Sequence, residues 1–179
     1  GGAGQEAYLS DAFATLTSGY RISVDLDGGT FNGGSSEKYG LAVTSAEGIS
    51  SRVNLFAWNW RPLANGGSLD LSNFDGSSNF SSEATVTSAP DTLFIERTAT
   101  GWTFGSILNG TETKHYENIT QLNGNNITAD GSAFGIWSDL RSNTSTWSVS
   151  NLTIVPEPSS FALLAGCFSL TWVLLRRRS

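Results

Sequence analysis

Hydrophobic and polar positions alternate with a period of two over much of the chain. Tyr20, Ile22, Val24 and Leu26 alternate with Arg21, Ser23, Asp25 and Asp27. That period describes a strand with one buried face. Gly28-Gly29 ends the segment, and 28–36 is a Gly/Ser-rich loop. Residues 39–44, 52–60, 92–98, 102–108, 111–116, 133–137 and 146–155 read as further strands. Asn65-Gly66-Gly67, Asn109-Gly110 and Asn123-Gly124 mark turns, Asn109-Gly110 being a strong two-residue hairpin signal. The polar run 72–82 predicts a long loop, and only 119–122 suggests a short helix. No amphipathic stretch of helical period exceeds about ten residues. About eight strands at this spacing, with no internal repeat, predict an all-β antiparallel sandwich or jelly roll over residues 1–155.

Composition agrees. Among 179 residues there are 20 Gly, 10 Phe and 6 Trp, and only 15% are charged. Met is absent, position 1 included, so a processed or truncated product is expected. Three of the ten basic residues are Arg176, Arg177 and Arg178. Residues 1–155 hold seven basic and 15 acidic groups, a net of −8. Such an acidic body does not attract nucleic acid. The single Cys167 excludes a disulfide within the chain and a Cys-based zinc site, and the single His115 excludes a His cluster. His115 lies in the polar edge Lys114-His115-Tyr116-Glu117 and reads as a solvated or locally paired ring.

The last 24 residues have a different organisation. Pro156-Glu157-Pro158 breaks the strand pattern, Phe161 to Leu175 carries no charge, and three Arg precede Ser179. With Ser159 and Ser160 the uncharged segment reaches 17 residues, near the lower limit for a transmembrane helix. Snorkelling Arg side chains extend its usable length, and the Arg cluster is expected to stay cytoplasmic. Residues 156–179 resemble the PEP-CTERM sorting signal of Gram-negative bacteria. Pro156, Glu157 and Pro158 match its motif, and Arg176, Arg177 and Arg178 match its basic end. The resemblance implies export and a single C-terminal transmembrane helix in the inner membrane through 159–175. It further implies processing by an exosortase, a membrane-embedded transpeptidase-like enzyme, and association with the cell surface or extracellular polysaccharide. Gly1-Gly2-Ala3-Gly4 has neither the basic nor the apolar region of an export signal. The reading therefore expects that signal to precede the sequence or to have been removed.

The body has a looser resemblance. Tyr20–Leu26, Tyr39–Val43, Leu93–Arg97, Phe134–Trp137 and Trp147-Ser148-Val149-Ser150-Asn151-Leu152-Thr153-Ile154 follow in an order similar to laminin-G-like and concanavalin-A-like sandwiches. That likeness implies a carbohydrate-binding or adhesive domain, and in some members a glucanase. A retaining glucanase requires two carboxylates about 5 Å apart. The glucanases of this fold supply them on one strand as Glu-x-Asp-x-x-Glu. Only Asp25-Leu26-Asp27 approaches that run, and no third carboxylate follows. No nucleophile elbow and no phosphate-binding Gly loop is present. The expectation is a non-enzymatic protein that needs no cofactor.

Two candidate sites remain. Asp25 and Asp27 lie two apart on one strand face, either as a solvated strand end or as a calcium ligand pair. Trp58-Asn59-Trp60-Arg61 puts two indoles on one face of an extended segment. Those indoles either fill the core or grip a sugar ring, with Asn59 and Arg61 on its hydroxyls. A structural matrix protein without a specific ligand is the alternative for the whole body.

Overall fold

The computed structural model describes residues 18–32, 37–44, 53–63, 66–75, 79–127, 133–139 and 144–156. The described residues form twelve antiparallel strands: β1 (Tyr20–Thr30), β2 (Lys38–Thr44), β3 (Val53–Leu63), β4 (Gly66–Asp75), β5 (Asn79–Val86), β6 (Thr92–Arg97), β7 (Trp102–Leu108), β8 (Thr111–Ile119), β9 (Gln121–Leu122), β10 (Asn125–Asn126), β11 (Ala133–Asp139) and β12 (Thr146–Pro156). One five-stranded sheet runs β12-β1-β6-β7-β8 and the other β11-β2-β3-β4-β5, while β9 and β10 form a small hairpin. The two large sheets share one apolar interior, so the fold is a β-sandwich.

The interior follows from the alternation. Ile22 and Val24 of β1, Leu93 and Ile95 of β6, and Trp102 and Phe104 of β7 meet Tyr39, Leu41 and Val43 of β2, Phe56, Trp58 and Trp60 of β3, and Leu69 and Leu71 of β4. Phe56 and Phe104 meet edge to face at 5.2 Å, the arrangement that ring quadrupoles favour. Near the β12 edge, Trp147 stacks on Tyr39 at 5.2 Å and Tyr39 on Phe31 at 5.4 Å.

A β-bulge in β8 sets the centre. Phe104 pairs with Tyr116 but Gly105 with Lys114, so His115 has no opposite partner. Here Trp58 Nε1, from the facing sheet, donates a 2.8 Å hydrogen bond to the Gly105 carbonyl. Gly105 is required on sterics, because a Cβ there would lie 2.1 Å from Phe94 Cζ. The hairpin between β7 and β8 turns on Asn109 (φ 50°) and Gly110 (φ 74°). Two successive positive-φ residues make the type I′ turn that the Asn-Gly pair predicts.

Two expectations fail. Residues 72–82 are not one long loop: β4 extends to Asp75 and β5 begins at Asn79. Small polar residues are tolerated there because β4 pairs with β3 and β5 with β4, while Leu69 and Leu71 supply the buried face. Residues 119–122 are not helical but end β8 and form β9. Asn123 (φ 51°) and Gly124 (φ 79°) then reverse the chain into β10. The apolar segment expected to span the membrane lies outside the described residues, among which no helix is long and apolar enough to do so.

If Trp58 is the central inter-sheet contact, Trp58→Ala should cost about 3–5 kcal/mol. Trp58→Phe should keep most of the packing but lose about 1–3 kcal/mol by stranding the Gly105 carbonyl. Urea unfolding of the three proteins checks the order.

Candidate functional site

The segment Trp58-Asn59-Trp60-Arg61 does not form one site. Trp58 and Trp60 face the interior, 0% and 4% exposed. Asn59 and Arg61, of opposite parity, project from the outer face of the same strand. The strand itself separates the indoles from the polar groups, so the sugar-gripping arrangement expected of these four residues is corrected: the indoles fill the core.

The polar half of the segment joins a cluster that the sequence did not reveal. Asn59 stands opposite Asp70, and Arg61 opposite Ser68, across β3 and β4. Lys38 reaches from β2 across β3 to donate to Asp70 Oδ2 at 3.2 Å and to Ser72 Oγ at 3.1 Å. Arg61 Nε donates to Ser68 Oγ at 3.0 Å, and its Nη1 lies 3.7 Å from Asp70 Oδ2. Asp70, Ser68 and Ser72 are buried, while the Lys38 and Arg61 side chains keep 15% and 20% of their surface exposed. Asn59 is wholly buried, and neither its Nδ2 nor its Oδ1 has a hydrogen-bond partner among the described residues. Trp137 belongs to the same face. It pairs with Gly40, which pairs with Asn59, and Lys38 Nζ lies 5.7 Å from its ring. No pattern in the sequence links Lys38, Asn59, Arg61 and Asp70, because three strands contribute them.

The outer face of the other sheet carries a closed charge network. The Arg21 guanidinium lies 4.0 Å over the Phe94 ring. It bonds the buried Glu96 carboxylate and donates to Glu112 at 2.8 and 3.1 Å. Lys114 Nζ donates to the other Glu96 oxygen at 3.1 Å. The Arg21 hydrogen bond holds Glu112 below the usual carboxylate range, against the opposing effect of its partial burial. Two cations and two carboxylates satisfy one another, which suits a structural role.

The candidate calcium pair is engaged within the protein. Asp25 Oδ1 accepts from Thr92 at 2.7 Å and its Oδ2 from Asn151 at 2.8 Å. Asp27 Oδ1 accepts from Ser150 at 2.8 Å. Among the described residues no three His, Cys, Asp or Glu side chains come together as metal ligands do. Burial, with the negative Asp27 adding to it, pushes the Tyr39 hydroxyl up to about 12. His115 sits on the edge strand β8, half-buried and locally paired. Its Nε2 lies 2.9 Å from Ser106 Oγ and its ring 5.7 Å from the Trp58 ring. Of the sorting motif, only Pro156 is among the described residues: it ends β12 opposite Tyr20. Glu157, Pro158 and Arg176 to Arg178 lie outside them.

No protein-family model matches the chain, and no curated protein matches it.

Burial lowers the His115 pKa below its ordinary 6.5. The folded protein thus binds this proton less tightly than the unfolded chain. Its contribution to stability is full above about pH 6.5 and declines as pH falls below it. Denaturation midpoints at about pH 7.5 and about pH 5.5 should differ. His115→Gln should reduce that difference, and an unchanged difference would assign the acid sensitivity to another group.

Proposed function

We propose that this is an exported bacterial surface or extracellular-matrix protein, sorted by an exosortase, with an adhesive, polysaccharide-binding body. The observation that carries the reading is the junction between body and tail. Strand β12 pairs along β1 as far as Pro156, the residue on which the Pro-Glu-Pro motif opens. An uncharged segment and the Arg cluster follow. In this reading residues 159–175 cross the inner membrane with Arg176 to Arg178 on the cytoplasmic side. The exosortase acts near Pro156-Glu157-Pro158, and the body passes to the cell surface or matrix. The sandwich is taken as a laminin-G-like or concanavalin-A-like jelly roll. Support comes from its face-to-face sheets and the pairing of first strand with last. No catalytic role and no cofactor is proposed.

A purely structural matrix role is the second reading, favoured by the burial of Trp58 and Trp60. Saturable binding of the chain to a panel of polysaccharides supports the adhesive role, whereas flat binding across the panel leaves the structural one.

The sorting half is tested in a Gram-negative host that carries an exosortase. Replacement of Arg176, Arg177 and Arg178 by Ala should leave the protein cell-associated and unprocessed. Processing and release equal to the parent chain would sink the assignment of the tail.

A further inference from the structure

We propose that the end of the β12-β1-β6-β7-β8 sheet from which the tail leaves is a docking surface, seated on the lipid bilayer that the tail crosses. The inference deepens the proposed function and rests on its reading of residues 159–175 as the membrane span. Among the described residues, the large hydrophobic side chains left exposed are Tyr20 at 38% and Val155 at 45%. They are neighbours: Tyr20 pairs with Pro156 and Val155 with Arg21, on the last two rungs of the β1–β12 ladder. Successive rungs alternate in face, so the two side chains flank the end of the sheet from both sides. The register extends the row across the sheet, from Pro156 through Tyr20, Arg97 and Trp102 to Ile119. Arg97 lies 4.5 Å over the Trp102 ring. The headgroup region of a bilayer accepts such a row, with apolar bodies turned to the acyl chains and polar tips to the headgroups.

Chain length and charge pick out the bilayer as the occupant. Pro156 is held in the ladder, and the uncharged segment begins at Ser159. Three residue steps reach at most about 11 Å. Strand β1 alone has 11 residues and runs about 35 Å. A body tethered so closely cannot stand clear of the bilayer, and this end is the one that meets it. The charges agree. The Thr98-Ala99-Thr100-Gly101 turn at this end is uncharged. Arg21 and Arg97 are the cations nearby. Against them stand Glu96, which Arg21 and Lys114 already neutralise, and Glu117 on β8. Asp25, Asp27 and Asp91 lie toward the other end of the sheet. The acidic body thus turns these carboxylates away from anionic headgroups.

The full chain, with Cys167→Ala, is reconstituted into vesicles of phosphatidylethanolamine and phosphatidylglycerol. A bimane label is placed at Ala99→Cys, exposed beside the proposed surface, or at Thr30→Cys, exposed at the far end of β1. Lipids with a nitroxide on the headgroup should quench the label at 99 and leave the label at 30 bright. Tyr20→Ser combined with Val155→Ser changes two exposed positions, where exchange is well tolerated. That pair should restore most of the fluorescence at 99 while the chain still floats with the vesicles. Quenching at 30 equal to or greater than that at 99 overturns the docking surface and leaves the tail reading standing. Absence of quenching at both positions does the same, and is the result a second copy seated on this end would give. Quenching at 99 that the paired substitution does not relieve also overturns it, since the tether alone would then set the approach. A parent chain that does not float with the vesicles overturns the membrane reading of the tail and the docking surface with it.

Discussion

The hydrogen bond from Trp58 Nε1 to the Gly105 carbonyl ties the two sheets together at the middle of the sandwich. The bulge at His115 interrupts pairing beside Gly105, and a buried carbonyl without a partner is costly. The indole supplies that partner and fills the interior. Phe104 and Tyr116 pack against it at 6.0 and 5.8 Å, and Gly105 leaves room for Phe94 on the opposite side of its strand. Once Trp58 points inward, strand alternation leaves no choice for its neighbours. Trp60 must be interior, and Asn59 and Arg61 must be on the outer face.

The two outer faces then differ in how their polar groups are satisfied. Arg21, Glu96, Glu112 and Lys114 satisfy one another over Phe94. A network closed in this manner stiffens a sheet and offers little to a ligand. The opposite outer face has the same ingredients, two cations and a buried carboxylate, but its central amide has no partner among the described residues. A low-dielectric setting strengthens hydrogen bonds that are made and raises the cost of those that are not. Asn59 therefore stands out where Glu96, equally buried, does not.

The pairing of first strand with last has its own consequence. With β12 beside β1, the described body begins and ends at one end of one sheet, Tyr20 opposite Pro156. In the proposed function the tail leaves from that point, so processing near Pro156-Glu157-Pro158 would act at the end of an edge strand paired on one side with β1.

The strands with clear alternation were legible in the sequence, and so were the Asn109-Gly110 and Asn123-Gly124 turns, because period and turn chemistry are local properties. The tail's organisation was legible for the same reason: proline break, uncharged run and arginines are written in order. Strands β4 and β5 were not legible. Their Ser, Asn and Gly content has little strand preference, and only the pairing of β4 with β3 and of β5 with β4 makes them strands. The polar cluster was half legible. Asn59 and Arg61 stood out beside the two Trp, yet period two alone cannot say which parity faces the core. Lys38 and Asp70 join them only when β2, β3 and β4 lie side by side. The sequence by itself determined the all-β class, the turns and the composition of the tail. The tertiary structure decided which face of β3 is inside, that Asp25 and Asp27 are held by Thr92, Asn151 and Ser150, and which distant residues share a surface. Those decisions depend on sheet order and register, which non-local pairing sets.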